Sequence, residues 1–338
     1  MRDSARNTSN GGFESGGGPG LDGPRNGREK TRLRNGAALT GVAAALIAVV
    51  FWSTNAVAAK FALADLGVVQ VLALKFGGAT ATLAAMRALR SRWDKTSSQK
   101  NANWPSGRFQ GVLGGVMVGV VGLTGTIFLQ YLAFATAPIV EANMVAYGWP
   151  LFAALWAALA YRSRQTLAGV LLAMVGFAGV ALILGSGNGL GSTGGLAGYA
   201  AALASAVCMT FYTVMSGRSS ISADMFLLPA TAIGMVSALT LCVTGLAPWS
   251  WASASPGAWV ASVYAGIGPM AGGFLLWSRA MSGDGAKRLA PLGYATPLLS
   301  TALLLLFGET FTLGALLGAA LVLVCSIGVL VVNKKEHG

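Results

Sequence analysis

Two tyrosine–proline pairs recur in the sequence with the same spacing. Tyr147 precedes Pro150 by three residues, and Tyr294 precedes Pro297 by three residues, both within apolar stretches. A proline inside a helix removes one hydrogen bond and frees a carbonyl oxygen. In a bilayer, such an oxygen is tolerated only against protein or a wet cavity. We therefore expect Pro150 and Pro297 to interrupt or gate two helices beside a cavity, although a kink that only serves packing is the alternative.

Aromatic and neutral polar side chains are concentrated inside the same apolar stretches. Polar groups buried in a bilayer are costly and usually functional. In combination with aromatic rings they suit an amphipathic organic solute better than an ion. The predicted substrate-binding residues are Trp52, Thr54, Asn55, Thr126, Gln130, Tyr147, Trp149, Phe211, Tyr212, Trp277 and Tyr294.

Three of these residues also have another interpretation. Trp277 lies two residues before Arg279 and equally suits an anchor at the membrane interface. Tyr147 and Trp149 are separated by about 200° around a helix, so one cavity can hold both only if the turn is distorted.

Ionisable groups at membrane depth are few. Glu141 and Glu309 lie near the outer face and are the candidates for proton coupling, while facilitated export down a gradient needs neither of them. Lys60 and Lys75 lie near the outer ends of the first two apolar stretches, where we expect their side chains to extend to the membrane surface.

Residues for catalysis or metal binding are scarce. The chain has one histidine, His337 in its tail, and three cysteines far apart in apolar runs, without a CxxC motif. A facing carboxylate pair is also missing from the sequence pattern. The sequence therefore predicts no enzymatic activity, no metal site and no cofactor.

Composition indicates an integral membrane protein made of helices. Only 10% of the 338 residues are charged and 54% are hydrophobic, whereas a soluble domain carries about 25% charged residues. A helix needs about 20 apolar residues to cross a bilayer. Charges and glycine-rich breaks divide the chain into ten predicted crossings, named spans one to ten in chain order. They lie at 35–59, 66–86, 109–140 and 142–161, with two in 165–217, two in 225–278, and the last two at 289–308 and 310–333.

The basic residues alternate between loops. All but Lys60 and Lys75 of the 23 Lys and Arg residues lie at the N-terminus, in every second loop or in the tail. By the positive-inside rule, both termini are cytoplasmic. The net charge of +12 then faces anionic lipids of the inner leaflet, so a nucleic-acid partner is not needed to explain it.

An internal repeat relates the two halves of the chain. A shift of 147 residues superposes the tyrosine–proline pairs, and a shift of 157 places "GVAAAL" at 41–46 on "GYAAAL" at 198–203. The repeat is five spans long, and an odd number inverts the second half in the membrane. We expect a disordered basic cytoplasmic tail, with a misassigned start codon as the alternative, then two inverted five-helix repeats and a short cytoplasmic tail. Their ranges are 1–35, 36–184, 193–333 and 334–338.

Inverted repeats with interrupted helices are typical of secondary transporters that work by alternating access. The chain from about 37 to 332 resembles the drug/metabolite transporter superfamily in its EamA-type branch. The resembling residues are "FWSTNAVAAK" at 51–60, "YGWP" at 147–150, and Pro297, Gly308, Glu309, Gly314 and Gly328 toward the end of the chain.

Within this branch, "FWST" at 51–54 and "EANMVAYGWP" at 141–150 are similar to the aromatic amino acid exporters. The resemblance implies export of Phe, Tyr and Trp across a bacterial inner membrane, with Trp52, Tyr147 and Trp149 lining the cavity. The chain departs from that subgroup at Thr126 and Gln130, where more aromatic character is expected, and at Met209 in place of tryptophan.

The leading hypothesis is thus a multi-pass inner-membrane exporter of small amphipathic metabolites, whose partners are its small-molecule substrate and the bilayer. The alternatives are a transporter of a drug, quaternary amine or nucleotide sugar, and a non-transporting membrane scaffold. Ten spans can enclose a cavity alone, so a monomer suffices, and a dimer is the alternative.

Overall fold

The computed structural model describes residues 24–94, 113–149, 195–216, 223–245, 254–280, 295–310 and 312–334, with isolated positions in 152–182 and at 292–293. Within these ranges all regular secondary structure is helical. Residues 1–40 and 41–338 form separate compact units. In the first unit the described residues are helical, and the second unit contains all the packing described below.

The helices follow the predicted spans. Six of them, in spans one, two, three, six, seven and eight, are long and apolar enough to cross a membrane. Span five is described only at isolated positions, so the number of ten crossings stays a prediction. The helix bounds are Pro24–Leu63, Val68–Asp94, Leu113–Thr136 and Ile139–Ala146 for spans one to four, and Gly195–Ser216, Ala223–Val243, Pro256–Ala280, Ala295–Leu306 and Leu313–Lys334 for spans six to ten.

Local sequence explains several helix ends. Ala137 is extended, at φ −132° and ψ 163°, because the following Pro138 disfavours helical geometry, and span three ends there. Span eight begins with Pro256 after Ser255, whose Oγ accepts a hydrogen bond from the Ala258 N–H at 3.2 Å. Gly308 follows span nine at φ +85°, a left-handed conformation that glycine adopts without strain.

Spans three and eight each contain a π-helical segment, at Val118–Thr124 and Gly266–Gly273. The first segment packs on spans six and seven, and the second packs on span two and contacts span one. Both need glycine for close approach. A Cβ at Gly122 would lie 2.6 Å from Cβ of Tyr212, and one at Gly266 would collide with the carbonyl oxygen of Lys75.

The core lies between the two halves of the chain. Span two packs along span seven, and span three packs along span six. Phe76 of span two is fully buried, and its ring occupies the space beside Gly234 of span seven. Large apolar side chains on the opposite faces, such as Leu196 and Val260, are exposed, as expected of surfaces that contact lipid.

Of the two prolines predicted to interrupt helices, the structure describes Pro297. It is the third residue of the described helix Ala295–Leu306 of span nine, directly after the undescribed residue 294, so an interruption of this helix stays a prediction. Pro150 and Tyr294 lie outside the described residues. Helical prolines that the prediction did not single out are Pro229 in span seven and Pro269 in the π-helical segment of span eight.

Candidate functional site

Trp52 of span one lies at the centre of an aromatic cluster. Its Nε1 donates a hydrogen bond to the Pro269 carbonyl oxygen at 3.1 Å, so the π-helical segment supplies an acceptor to a neighbouring span. Its ring centroid is 5.2 Å from that of Phe274 and 5.1 Å from that of Trp277. Tyr212 of span six continues the cluster, with its ring 5.7 Å from Phe274. Trp277 therefore packs against Trp52 within this cluster, and its part in a binding site stays a prediction.

Tyr147 joins this cluster from span four. The helix of span four ends at Ala146, and the Tyr147 hydroxyl donates to the Trp52 carbonyl oxygen at 3.2 Å. Two residues on, the Trp149 carbonyl oxygen accepts a hydrogen bond from Thr210 Oγ1 of span six at 2.8 Å. The early end of this helix thus turns Tyr147 and the Trp149 backbone toward different neighbours.

A group of small polar residues lies beside the aromatic cluster. Asn143 Nδ2 donates to Ser300 Oγ at 3.0 Å, and Ser53 Oγ lies 3.4 Å from the Thr296 carbonyl oxygen. All four residues are at most 1% exposed. Asn143 Oδ1 and Thr296 Oγ1 are buried without a hydrogen-bond partner among the described residues. These residues, Ser53, Asn143, Thr296 and Ser300, are named the polar cluster.

An unpaired buried polar atom costs roughly 1–3 kcal/mol, so the polar cluster suits the polar groups of a solute or an ordered water. The prediction did not include this cluster. A signal was present, because Thr296 and Ser300 are hydroxyl residues four apart, on one face of an otherwise apolar helix.

Lys75 corrects the expectation that its side chain reaches the membrane surface. The residue is 1% exposed, and its Nζ donates to Asn55 Oδ1 at 2.7 Å and to the Tyr131 hydroxyl at 3.0 Å. Lys75 lies seven residues inside span two, roughly 10 Å from the start of that helix, and polar partners on spans one and three hold it there. Asn55 Nδ2 also donates to Gln130 Oε1 at 3.4 Å.

The remaining predicted residues lie apart from the aromatic cluster or at its edge. Thr54 hydrogen-bonds to the hydroxyl of Tyr264, a residue that the prediction missed, at 2.7 Å. Thr126 accepts a hydrogen bond at its carbonyl from Ser205 Oγ of span six at 3.1 Å. Phe211 is half-buried. The structure therefore brings Trp52, Tyr147, Tyr212 and Trp277 together. Asn55 instead accepts a hydrogen bond from Lys75 and donates one to Gln130.

Charged residues connect the end of span one to the second half of the chain. This end of the bundle is named the Lys60 end. Lys60 Nζ lies 2.7 Å from Glu309 Oε1 and donates to the Phe307 carbonyl oxygen at 2.7 Å. Asp65 Oδ2 accepts from the Ser255 N–H at 3.0 Å. Hydrogen bonds from the Ser255 side chain and backbone hold the pKa of the Asp65 carboxyl below its usual value.

An open cavity of about 510 Å³ lies at the Lys60 end. Its polar groups are the ammonium of Lys60 and the carboxylate of Glu309, and its other walls are mainly apolar. The lining residues include Lys60, Leu63, Leu66, Phe134, Ile139 and Glu309.

The two candidate coupling carboxylates are in different environments. Glu309 is paired with Lys60 and its side chain is 28% exposed. Glu141, in the first turn of span four, is 4% exposed, and its Oε2 has no hydrogen-bond partner among the described residues. In the part of the chain that the structure describes, no group of three or more His, Cys, Asp or Glu residues is placed to hold a metal ion.

Comparisons with known proteins identify similar chains. The model of the EamA-like transporter family matches residues 39–185 and again residues 196–332. The aromatic amino acid exporter YddG of Ancylobacter novellus is 36% identical over 201 residues, which cover 59% of this chain and 69% of that protein. One crystal structure superposes with a TM-score of 0.58 at 27% identity, and covers 88% of this chain and 99% of its own.

Both the family and the curated relative are transporters, and six helices of the chain are long and apolar enough to cross a bilayer. The expectation of a multi-pass, helical membrane protein is thereby confirmed. The chain belongs to the EamA-like transporter family.

Proposed function

We propose that the chain is an alternating-access exporter of small amphipathic amino acids, such as Phe, Tyr and Trp, in the bacterial inner membrane. The observation that carries this proposal is the aromatic cluster beside the polar cluster, where span one meets spans four, eight and nine. An aromatic amino acid needs both kinds of surface, one for its ring and one for its charged end.

The contacts of spans one and six support two inverted repeats at 36–184 and 193–333, and the alternation of basic residues between loops supports cytoplasmic termini. Span one hydrogen-bonds to spans eight and nine through Trp52 and Ser53. Span six makes the corresponding bonds to spans three and four through Ser205 and Thr210. Exchanging the halves turns one set of contacts into the other, as a two-fold relation requires, and the family model also matches twice. In such a fold, either half can adopt the tilt of the other.

The polar cluster gives the bound solute an orientation. The unpaired Asn143 Oδ1 is an acceptor for the substrate ammonium group, and the Thr296 hydroxyl is a donor for the carboxylate. The ring of the substrate then packs on Trp52 and Trp277, where edge and offset contacts between rings are favourable. The relative YddG is an aromatic amino acid exporter, which supports this substrate class.

Transport by purified protein tests the proposal. In proteoliposomes, the wild-type chain should exchange radiolabelled phenylalanine, and Tyr147→Ala should slow exchange at least tenfold at equal protein incorporation, because it removes the ring and the bond to Trp52. Val207→Ala, on an exposed face of span six, is the control and should exchange at the wild-type rate. In cells, overexpression should confer growth on toxic phenylalanine analogues.

The result also separates the alternatives. Exchange of a quaternary amine or a nucleotide sugar, without exchange of any amino acid, would replace the proposed substrate class. Wild-type exchange by Tyr147→Ala would remove Tyr147 from the site.

A further inference from the structure

Glu141 is a buried carboxyl group that the structure leaves without a counter-ion. Its side chain lies in the first turn of span four, is 4% exposed, and has one oxygen without a hydrogen-bond partner among the described residues. A carboxylate buried in this way is strongly disfavoured unless a cation pairs with it. The nearest cations therefore decide its charge state.

The two lysines on this side of the bundle are already engaged. Lys60 pairs with Glu309 and with the Phe307 carbonyl oxygen. Lys75 donates to Asn55 and Tyr131. Undescribed residues of span five cannot supply a cation either, because the sequence from 165 to 217 contains no charged residue. The other basic residues lie at the N-terminus, in alternate loops or in the tail.

The titratable groups that face Glu141 favour its neutral form. Span four packs on spans three, six and nine. Span six presents Tyr199, which interacts electrostatically with Glu141 and whose buried hydroxyl also lacks a partner among the described residues. On span three, Tyr131 is engaged with Asn55 and Lys75, and the helix of span nine has no titratable side chain. Beyond span nine, Glu309 interacts with Glu141 as a like charge.

We propose that Glu141 is protonated in this conformation and carries the proton that couples export to the proton gradient. This inference rests on the proposed transport function. In the coupling step, the Glu141 carboxylate takes up one proton from water at the Lys60 end, on the predicted outer face, and the carboxyl group loses that proton to cytoplasmic water when the bundle opens to the other side. The open cavity at the Lys60 end, whose wall includes Ile139, two residues before Glu141, is the proposed route for uptake. One proton then moves inward for each amino acid that moves outward.

Glu309 is the natural comparison. It lies at the same end of the bundle, but its carboxylate pairs with Lys60 at 2.7 Å. Glu309→Gln therefore removes a carboxylate at this end of the bundle and leaves Glu141 in place.

A spectroscopic test addresses the proton without any substrate. The infrared absorption spectrum of the purified full chain at neutral pH should contain the C=O band of a protonated carboxylic acid. Glu141→Gln should lose this band, and Glu309→Gln should retain it. A wild-type spectrum without the band, or a band that survives in Glu141→Gln, overturns the assignment whether or not the chain transports amino acids.

A transport test addresses the coupling. A pH gradient of one unit across proteoliposomes should drive phenylalanine toward the acidic side, up to about tenfold for one proton per amino acid. Glu141→Gln should still exchange phenylalanine without a gradient but should lose accumulation, and Glu309→Gln should still accumulate it. Exchange that ignores the gradient in the wild type would overturn coupling and leave the transport function intact. Absence of any amino acid exchange would instead contradict the proposed function itself.

Discussion

At the scale of single residues, the buried Lys75 of span two bonds to residues of spans one and three. Its amino group donates to Asn55 Oδ1 and to the Tyr131 hydroxyl, and lies 4.2 Å from the centroid of the Tyr131 ring. The three residues belong to spans one, two and three, so one amine holds three helices together.

This arrangement predicts that Asn55→Leu destabilises the folded protein by about 1–3 kcal/mol, because the buried amino group of Lys75 loses its shortest hydrogen bond. Lys75→Met in the same chain should recover most of the loss, since removing both partners is less costly than removing one. Equilibrium unfolding in mixed detergent micelles would measure both variants. Equal stability of Asn55→Leu and the wild type would show that Asn55 does not support Lys75.

At the scale of the helix, spans three and eight combine a π-helical segment with glycines at the closest approach to other spans. A wider helix displaces side chains and leaves backbone carbonyls available, as the bond from Trp52 to Pro269 illustrates. The segments occupy corresponding positions in the two halves. They therefore determine how near span one and span six come to the opposite half.

We expect Gly122→Val to prevent close packing of span six and to lower both folded protein and transport at least tenfold. The added side chain would meet Tyr212, whose Cβ lies 2.6 Å from the position of a Cβ on residue 122. Gly114→Val is the matched control in the same helix, because a Cβ there has no heavy atom within 4 Å. Monodispersity on size exclusion and phenylalanine exchange are the measurements. Normal folding of Gly122→Val would mean that span six can move away at little cost.

At the scale of the whole molecule, the Lys60 end connects the two halves. Lys60 contacts Glu309, Phe61 packs edge-to-face against Phe307 with ring centroids 5.6 Å apart, and the Asp65 carboxylate accepts a hydrogen bond from the Ser255 N–H. Exposed ion pairs contribute little stability, roughly 0–1 kcal/mol each, so these contacts can break and re-form during a transport cycle.

The inverted arrangement predicts that spans one and six run in opposite directions. In a chain with Cys208, Cys242 and Cys325 replaced by alanine, single cysteines at Ala64 and Leu196 should both react with a membrane-impermeant maleimide on intact cells. A cysteine at Ser91 should react only after permeabilisation, because it lies toward the opposite end of span two. Labelling of only one of the first two positions on intact cells would show parallel spans and end the inverted-repeat proposal.

The sequence by itself determined the class of the protein and the positions of most helices. Low charge and long apolar segments are direct consequences of burial in lipid, and these properties do not depend on which helices become neighbours. For the same reason, Trp52, Tyr147 and Trp277 could be selected as interior residues from their type and depth alone. Trp277 contacts the Trp52 ring and Tyr147 contacts the Trp52 carbonyl oxygen, and the role of all three residues in binding stays a prediction.

Only the tertiary structure decided which polar groups became partners. Lys75 was assigned to the surface because snorkelling is the usual behaviour of lysine near a helix end, and the acceptors that retain it come from residues 20 and 56 positions away. Glu141 and Glu309 look alike in sequence. Glu309 nevertheless pairs with Lys60, whereas Oε2 of Glu141 has no hydrogen-bond partner among the described residues. Hydrogen bonds and ion pairs act over about 3 Å, so their partners are fixed by helix packing, which composition and hydropathy do not specify.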